Sequence, residues 1–234
     1  MKKIILGVML LLQTLYAQKI YATFDVYAKE SANLAFTASG RIKKVYASIG
    51  DEVKKNQILA QLDNNDIKAL LDQARVVYKY AKKEFQRQSK VKNLIDASRF
   101  DKIAKAYESA KAALAYQEAM YEKTFLKAPF DGVVFFKDIE TGDAVSGMML
   151  KTVYKVQSKN ARKLLLYFDQ KYAKDVKAGD LFEYKVDGDD SVYKAKILKV
   201  YPQVDPKNRK ITAEVLTDGL KVGLFGTGYI YTGK

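Results

Sequence analysis

Residues 40–63 read GRIKKVYASIGDEVKKNQILAQLD, and residues 132–150 read GVVFFKDIETGDAVSGMML. The two stretches align without a gap at an offset of 92. Gly40 matches Gly132, Ile42 matches Val134, Gly50-Asp51 matches Gly142-Asp143, and Val53 matches Val145. Each copy reads as a short strand, a Gly-Asp turn and a second short strand. Glycine supplies the backbone angles a tight turn needs, and the alternation at Ile42, Val45, Val53 and Ile58 suits strands with one buried face. Neither copy has enough apolar surface for a core of its own. Repeated units of this kind bury their faces against each other, so the pair predicts one small sandwich assembled from two separated halves.

Between the copies the apolar period changes from two to a heptad. From Ile67 the seam positions are Ile67, Leu71, Ala74, Tyr78, Ala81, Phe85 and Gln88; a second run passes through Phe100, Ile103, Tyr107, Ala110, Leu114, Gln117, Tyr121 and Thr124. Alternating steps of three and four, with lysines and glutamates mostly off the seam, form the signature of a coiled coil. Each arm of 26–28 residues reaches about 40 Å at 1.5 Å per residue. The simplest geometry is an antiparallel hairpin turning near residues 93–97. Asn64 or Asn65 can cap the first arm, the capping-box spacing at Ser98-Arg99-Phe100-Asp101 can open the second, and Ala128-Pro129 returns the chain to the second half-repeat.

The ends and the composition narrow the function classes. Lys2 and Lys3, the apolar stretch 4–12 and Leu15-Tyr16-Ala17 have the order of a secretory signal peptide over residues 1–17. The apolar run is short for a membrane span, and an uncleaved N-terminal anchor stays open as the alternative. Cysteine is absent, which excludes disulfides, thiolate metal sites and a lipid-bearing cysteine. Histidine is absent as well, so the commonest general base and the commonest metal ligand are both missing. The formal charge is +14; residues 1–17 hold two lysines and no acid, leaving +12 beyond them. The lysines are dispersed on solvated helix faces, and an exported chain has no nucleic acid to meet, so no nucleic-acid partner is expected. Asp187-Gly188-Asp189-Asp190 lacks the remaining oxygen ligands of a calcium loop and reads as a hairpin turn. No catalytic, cofactor-binding or metal-ligating residues are expected.

The pattern GxIxxVxxxxGDxVxxxQxLxxLD, then a hairpin, then APFDG at residues 128–132 and a second GD, resembles the periplasmic adaptor, or membrane fusion protein, family (HlyD-like). The likeness is strong over residues 30–155 and weaker beyond. It implies a mixed α and β, elongated multidomain fold: a β-barrel plus a split lipoyl-like β-sandwich with an inserted antiparallel α-helical coiled-coil hairpin. The implied layout is a signal peptide over 1–17, an N-terminal strand region over 18–33 (barrel or membrane-proximal), lipoyl-like half 1 over 34–65, the hairpin over 66–125, half 2 over 126–158 and the barrel over 159–234. In the barrel, 164–186 fits a strand, a helical turn, a turn at Gly179-Asp180 and another strand; 192–217 fits two strands joined at 202–208; and Leu224-Phe225-Gly226-Thr227-Gly228 sits where the family places a Gly-containing turn.

The same resemblance implies the function. The chain is expected to be a periplasmic adaptor of a tripartite efflux pump, associated with the inner membrane of a Gram-negative envelope. It would join an inner-membrane transporter, RND type favoured over an ABC-type exporter, to a TolC-type outer-membrane channel as a hexamer-like homo-oligomeric ring. Adaptors often carry R-x3-L-x6-S at the hairpin tip; Arg87, Val91 and Ser98 occupy that spacing here, with valine for leucine, and Lys90, Leu94 and Arg99 are their neighbours. Joints are expected near 63–66, 124–128 and 158–162. The rival of a different class is a lipoyl or biotinyl carrier domain, but the position such domains modify falls at Asp66, not a lysine, and no cofactor is expected. A scaffold or adhesin that uses the helices for another partner is a third possibility.

Overall fold

The computed structural model describes residues 18–94 and 96–233; the leader expected over 1–17 lies outside them. In chain order the strands are β1 (Gln18–Ala28), β2 (Ser31–Leu34), β3 (Gly40–Val45), β4 (Glu52–Val53) and β5 (Ile58–Leu62). The helices α1 (Asn65–Ser89) and α2 (Ala97–Glu122) follow. Then come β6 (Phe125–Lys127), β7 (Gly132–Lys137), β8 (Ala144–Val145), β9 (Tyr154–Gln157), β10 (Ala161–Asp169), β11 (Leu181–Val186), β12 (Tyr193–Val204), β13 (Lys210–Asp218) and β14 (Phe225–Thr232). The chain divides into two units: one runs to Glu30 and resumes at Asn160, the other covers Ser31–Lys159.

In the second unit neither half-repeat forms a sheet by itself. The two four-stranded sheets have the orders β2-β9-β7-β4 and β6-β5-β3-β8, so each takes its last strand from the other half. Val53 pairs with Gly132 and Val145 with Gly40, which are the same contact displaced by the repeat offset. The hydrogen bonds repeat as well. Ile42 N–H donates to the Asp143 carbonyl at 2.8 Å and Val134 N–H to that of Asp51 at 3.0 Å; Gly142 N–H donates to Ile42 at 2.9 Å and Gly50 N–H to Val134 at 2.8 Å. Gly50 and Gly142 have φ of 95° and 100°, the left-handed region that glycine enters without penalty. Beside each, an aspartate closes the turn: Asp51 accepts from Ser48 N–H and Asp143 from Glu140 N–H.

The symmetry also explains the APFDG segment. The Asp131 carboxylate accepts from Lys55 N–H at 2.7 Å, and its image across the repeat, the Ser39 hydroxyl, accepts from Gly147 N–H at 2.9 Å. Ala128 N–H donates to the Gln57 carbonyl, and the Ala128 carbonyl accepts from Asn56 N–H, so the segment clamps the β4–β5 turn. Ile42, Leu59, Leu62, Val134, Tyr154 and Val156 fill the space between the sheets. Tyr154 is fully buried and its hydroxyl donates to the Ala47 carbonyl at 2.6 Å.

In the first unit β1-β10-β13-β12-β11-β14 close a barrel. Alternate residues point inward: Ile20, Ala22, Phe24 and Val26 from β1, Leu164, Leu166 and Phe168 from β10, Ala213 and Val215 from β13. Phe24 packs edge-on against Phe182 and Tyr184, whose rings stack on each other. Three sequence expectations are corrected here. The region 18–33 does not stay together: β1 enters the barrel, whereas β2 pairs with β9. Gly226 and Gly228 are not a turn but inward positions of β14, where a Cβ would come within 2.2 and 2.4 Å of the Lys185 and Glu183 carbonyls of β11 and within 2.6 and 2.8 Å of the Phe24 and Phe182 rings; the glycines make room for the neighbouring backbone and the aromatic core. Pro202 lies inside β12, at an irregularity between Val200 and Val204 that spares it a ladder bond, and the turn comes later, with Arg209 N–H bonded to the Asp205 carbonyl.

Burial pushes the Tyr154 hydroxyl up to about 12 from its ordinary 10.0, with Glu140 and Asp51 adding to the shift. The unfolded chain therefore releases this proton first, and Tyr154's contribution to stability falls as pH rises from about 10 to 12. In denaturant titrations Tyr154→Phe should cost about 1–2 kcal/mol near neutral pH, by leaving the Ala47 carbonyl unpaired, and the gap from wild type should narrow in that alkaline window.

Candidate docking site at the helical tip

The helices leave the sandwich through a bonded root. Asn64, expected as a cap, uses its side chain otherwise: its amide donates to the Thr124 hydroxyl at 2.8 Å, and that hydroxyl donates to the Tyr121 carbonyl at 2.6 Å. Asn64 and Thr124 are 3% and 0% exposed, and Leu62 N–H donates to the Thr124 carbonyl. At the segments 63–66 and 124–128, where joints are expected, a buried hydrogen-bonded polar pair ties both helix bases together. Breaking such a pair strands a buried amide or hydroxyl.

Above the root the seam positions are the less exposed ones on both helices. Tyr78 stacks on Tyr107 at 5.9 Å, Tyr107 on Phe85 at 4.8 Å, and Phe85 lies 5.7 Å from Phe100. As α1 advances its partners on α2 recede, so the helices run in opposite directions. Among the described residues only Leu71 and Ala110 of the pair are fully buried, which leaves the shaft one layer thick. The reach of α1, 25 residues, is about 38 Å.

At the far end α1 stops at Ser89, a 3-10 turn covers Lys92–Leu94, and α2 begins at Ala97. All six expected contact residues lie in this end. Arg87 is exposed in the last turn of α1 and pairs with Glu84. Lys90, Ser98 and Arg99 are exposed. Val91 is 39% exposed and Leu94 85%; Leu94 N–H donates to the Val91 carbonyl at 2.8 Å, which fixes the turn that carries both. Ser98 is not the helix cap. Asp96 takes that place, its carboxylate accepting from Arg99 N–H at 3.1 Å. Aspartate caps as well as serine does; the capping-box spacing drew the reading two residues too far. The Ser98 hydroxyl is thereby released from a structural duty. The end of the helical pair thus exposes Val91 and Leu94 together with Arg87, Lys90, Ser98 and Arg99. Asp66, the carrier position, sits in the first turn of α1. Among the described residues no cluster of His, Cys, Asp or Glu could hold a metal ion, and no helix is long and apolar enough to cross a membrane.

A family model for the CzcB-like barrel-sandwich hybrid domain matches residues 30–157. The chain belongs to this family. The resemblance to membrane fusion proteins is thus met over the two half-repeats and the helices between them. A chimera of MacA with the Pseudomonas aeruginosa MexA α-hairpin domain superposes with a TM-score of 0.81 at 21% identity, covering 93% of this chain and 83% of the chimera. The membrane fusion protein Spr0693 of Streptococcus pneumoniae gives 0.70 at 14% identity, over 92% of this chain and all of the other. ZneB of Cupriavidus metallidurans gives 0.61 at 20%, over 93% and 72%. An uncharacterized Haemophilus influenzae protein is 26% identical over 129 residues, 54% of this chain and 34% of that protein; the match thus spans about a third of that curated relative. These likenesses place the CzcB-like chain in one fold, barrel included.

Asp96→Ala should lower the stability of the helical pair by about 1 kcal/mol, read as a lower midpoint in helix-monitored melting, whereas Ser98→Ala should stay within about 0.5 kcal/mol of wild type.

Proposed function

We propose that this chain is the periplasmic adaptor of a tripartite efflux pump, joining an RND-type inner-membrane transporter to a TolC-type outer-membrane channel. The observation that carries the reading is the helical tip: Leu94 and Val91 are held out to solvent between Arg87 and Ser98, at the end of a shaft with a fixed root. An exposed leucine and valine on one hydrogen-bonded turn offer an apolar point that a protein partner can cover. An arginine fork and a free hydroxyl give such a contact its direction, while the aliphatic pair supplies the desolvated centre. The helices act as a coiled coil, and its heptad seam holds the two arms in register.

The protein's work is mechanical. It binds, spaces and seals, and carries out no bond chemistry. Copies stand side by side in a hexamer-like ring. A second apolar stripe on α1 supports this arrangement: Leu70, Val77 and Tyr80 are 51%, 53% and 64% exposed and lie on a face other than the intramolecular seam. The barrel unit faces the transporter. The modest length of the helices favours an RND-type partner over an ABC-type one.

The chain has no native cysteine, so single thiols report cleanly. Val91→Cys and Ser98→Cys should each cross-link in cells to an outer-membrane channel, while cysteines at the seam positions Ala74 and Ala81 should not. Capture of the channel from the seam or the barrel, with none from the tip, would show the docking assignment to be wrong. Leu94→Glu, which places a charge at the most exposed apolar point of the tip, should raise sensitivity to expelled compounds at unchanged protein level.

A further inference from the structure

The outer wall of the barrel is not uniform. On β1, β14 and β11 the outward positions pair as Lys19 with Tyr231, Tyr21 with Tyr229, and Leu181 with Tyr231. Tyr21 is 54% exposed, Tyr229 39% and Leu181 36%. The Lys19 ammonium lies 3.8 Å above the Tyr229 ring. A hollow of about 160 Å³, lined in part by Lys19, Lys185 and Tyr229, opens on the same wall. Glu183 also lines it, but its carboxylate pairs with Lys194 of β12 at 3.1 Å. Lys196, opposite Leu181, adds a further cation. Aromatic bodies with hydroxyl tips, interleaved with long-stemmed cations, make up the side-chain set that settles at a membrane–water interface.

Two comparisons choose among occupants, beside the match of the patch's cations to an anionic surface. A second copy is a poor occupant, because the patch is basic and would face its own charge. A glycan strand is a poor one too, because the Tyr21 and Tyr229 rings lie 68° apart and form no flat platform.

We propose that this wall of the barrel seats on an anionic bilayer surface, with Tyr21 and Tyr229 at headgroup depth and Lys19, Lys185 and Lys196 against lipid phosphates. The inference rests on the envelope location proposed above and adds a contact that neither channel nor transporter supplies. The seat would fix the height of the barrel over the membrane.

The test mixes the exported, purified chain with vesicles of phosphatidylethanolamine and phosphatidylglycerol, or of phosphatidylcholine alone, and measures co-flotation. Binding should appear on the anionic vesicles only and fall as salt is raised. Each surface lysine contributes about fivefold to such binding, so Lys19→Glu with Lys196→Glu should lower it by at least about 25-fold. Tyr21→Ser with Tyr229→Ser should weaken it further at unchanged charge. The charge-matched control, Lys79→Glu with Lys105→Glu on the helices, should bind as wild type does. Circular dichroism melting confirms that each variant folds. Equal binding to neutral vesicles, equal loss in the control, or a self-associated species that the wall substitutions abolish while flotation is unchanged would each overturn the proposal. Anionic-vesicle binding with these losses, in a chain whose tip captures no channel, would keep the lipid seat and remove the adaptor reading.

Discussion

The exchange of β4 and β8 between the half-repeats is the constraint on which the rest of the sandwich unit depends. Each is only two residues long, and neither could stand as a strand without the opposite half to receive it. An unpaired sheet edge is costly, and the swap covers one edge of each sheet with the other copy's strand. The Gly-Asp turns set the register of the swap, since the carbonyls of Asp51 and Asp143 are the acceptors that hold Val134 and Ile42. Everything attached to the sandwich is attached to that frame.

The symmetry also shows where additions can be made. β5 and β6 are neighbours in one sheet, and the helices enter and leave between them. β9 and β2 are neighbours at the corresponding place in the other sheet, and from their outer ends the chain runs into the barrel strands β10 and β1. In both cases the two connections start side by side, so a long insertion closes with little loss of chain entropy. One half of the repeat carries the two helices and its image carries the barrel strands. The helical pair is tied by Asn64 and Thr124 at its root and by the Tyr78, Tyr107 and Phe85 stack along its length.

Much of this was legible before any coordinates. The repeat offset and the Gly-Asp pairs carried the sandwich, because turn chemistry is local. The heptads at 67–88 and 100–124 located both helices, because a 3.5-residue period survives in sequence however the helices are later packed. The six tip residues came from the adaptor resemblance and its R-x3-L-x6-S spacing, and the fold gathers them at one end of the helical pair. Other features were not legible. Asp96 and Ser98 are both good caps, and only the geometry of the turn chooses between them. Gly226 and Gly228 look like turn residues in sequence; their reason is the close approach of the Lys185 and Glu183 carbonyls and of the Phe24 and Phe182 rings, the rings lying 202 and 46 residues away in the chain. The basic, aromatic wall gathers Lys19 with Tyr229 and Tyr231 from opposite ends of the chain, and no local pattern announces that meeting.

By itself the sequence determined the parts: two half-repeats, two heptad arms between them, a strand-rich remainder, and a chemistry without histidine or cysteine. Those follow from period, turn residues and composition, which act over a few neighbouring residues. The tertiary structure alone decided how the parts are shared, that is, which half completes which sheet, that β1 closes the barrel, and that Asn64 spends its amide on Thr124 instead of on its own helix. Those outcomes turn on burial and on hydrogen-bond partners 60 or more residues distant, and such partners leave no local trace until the chain has folded.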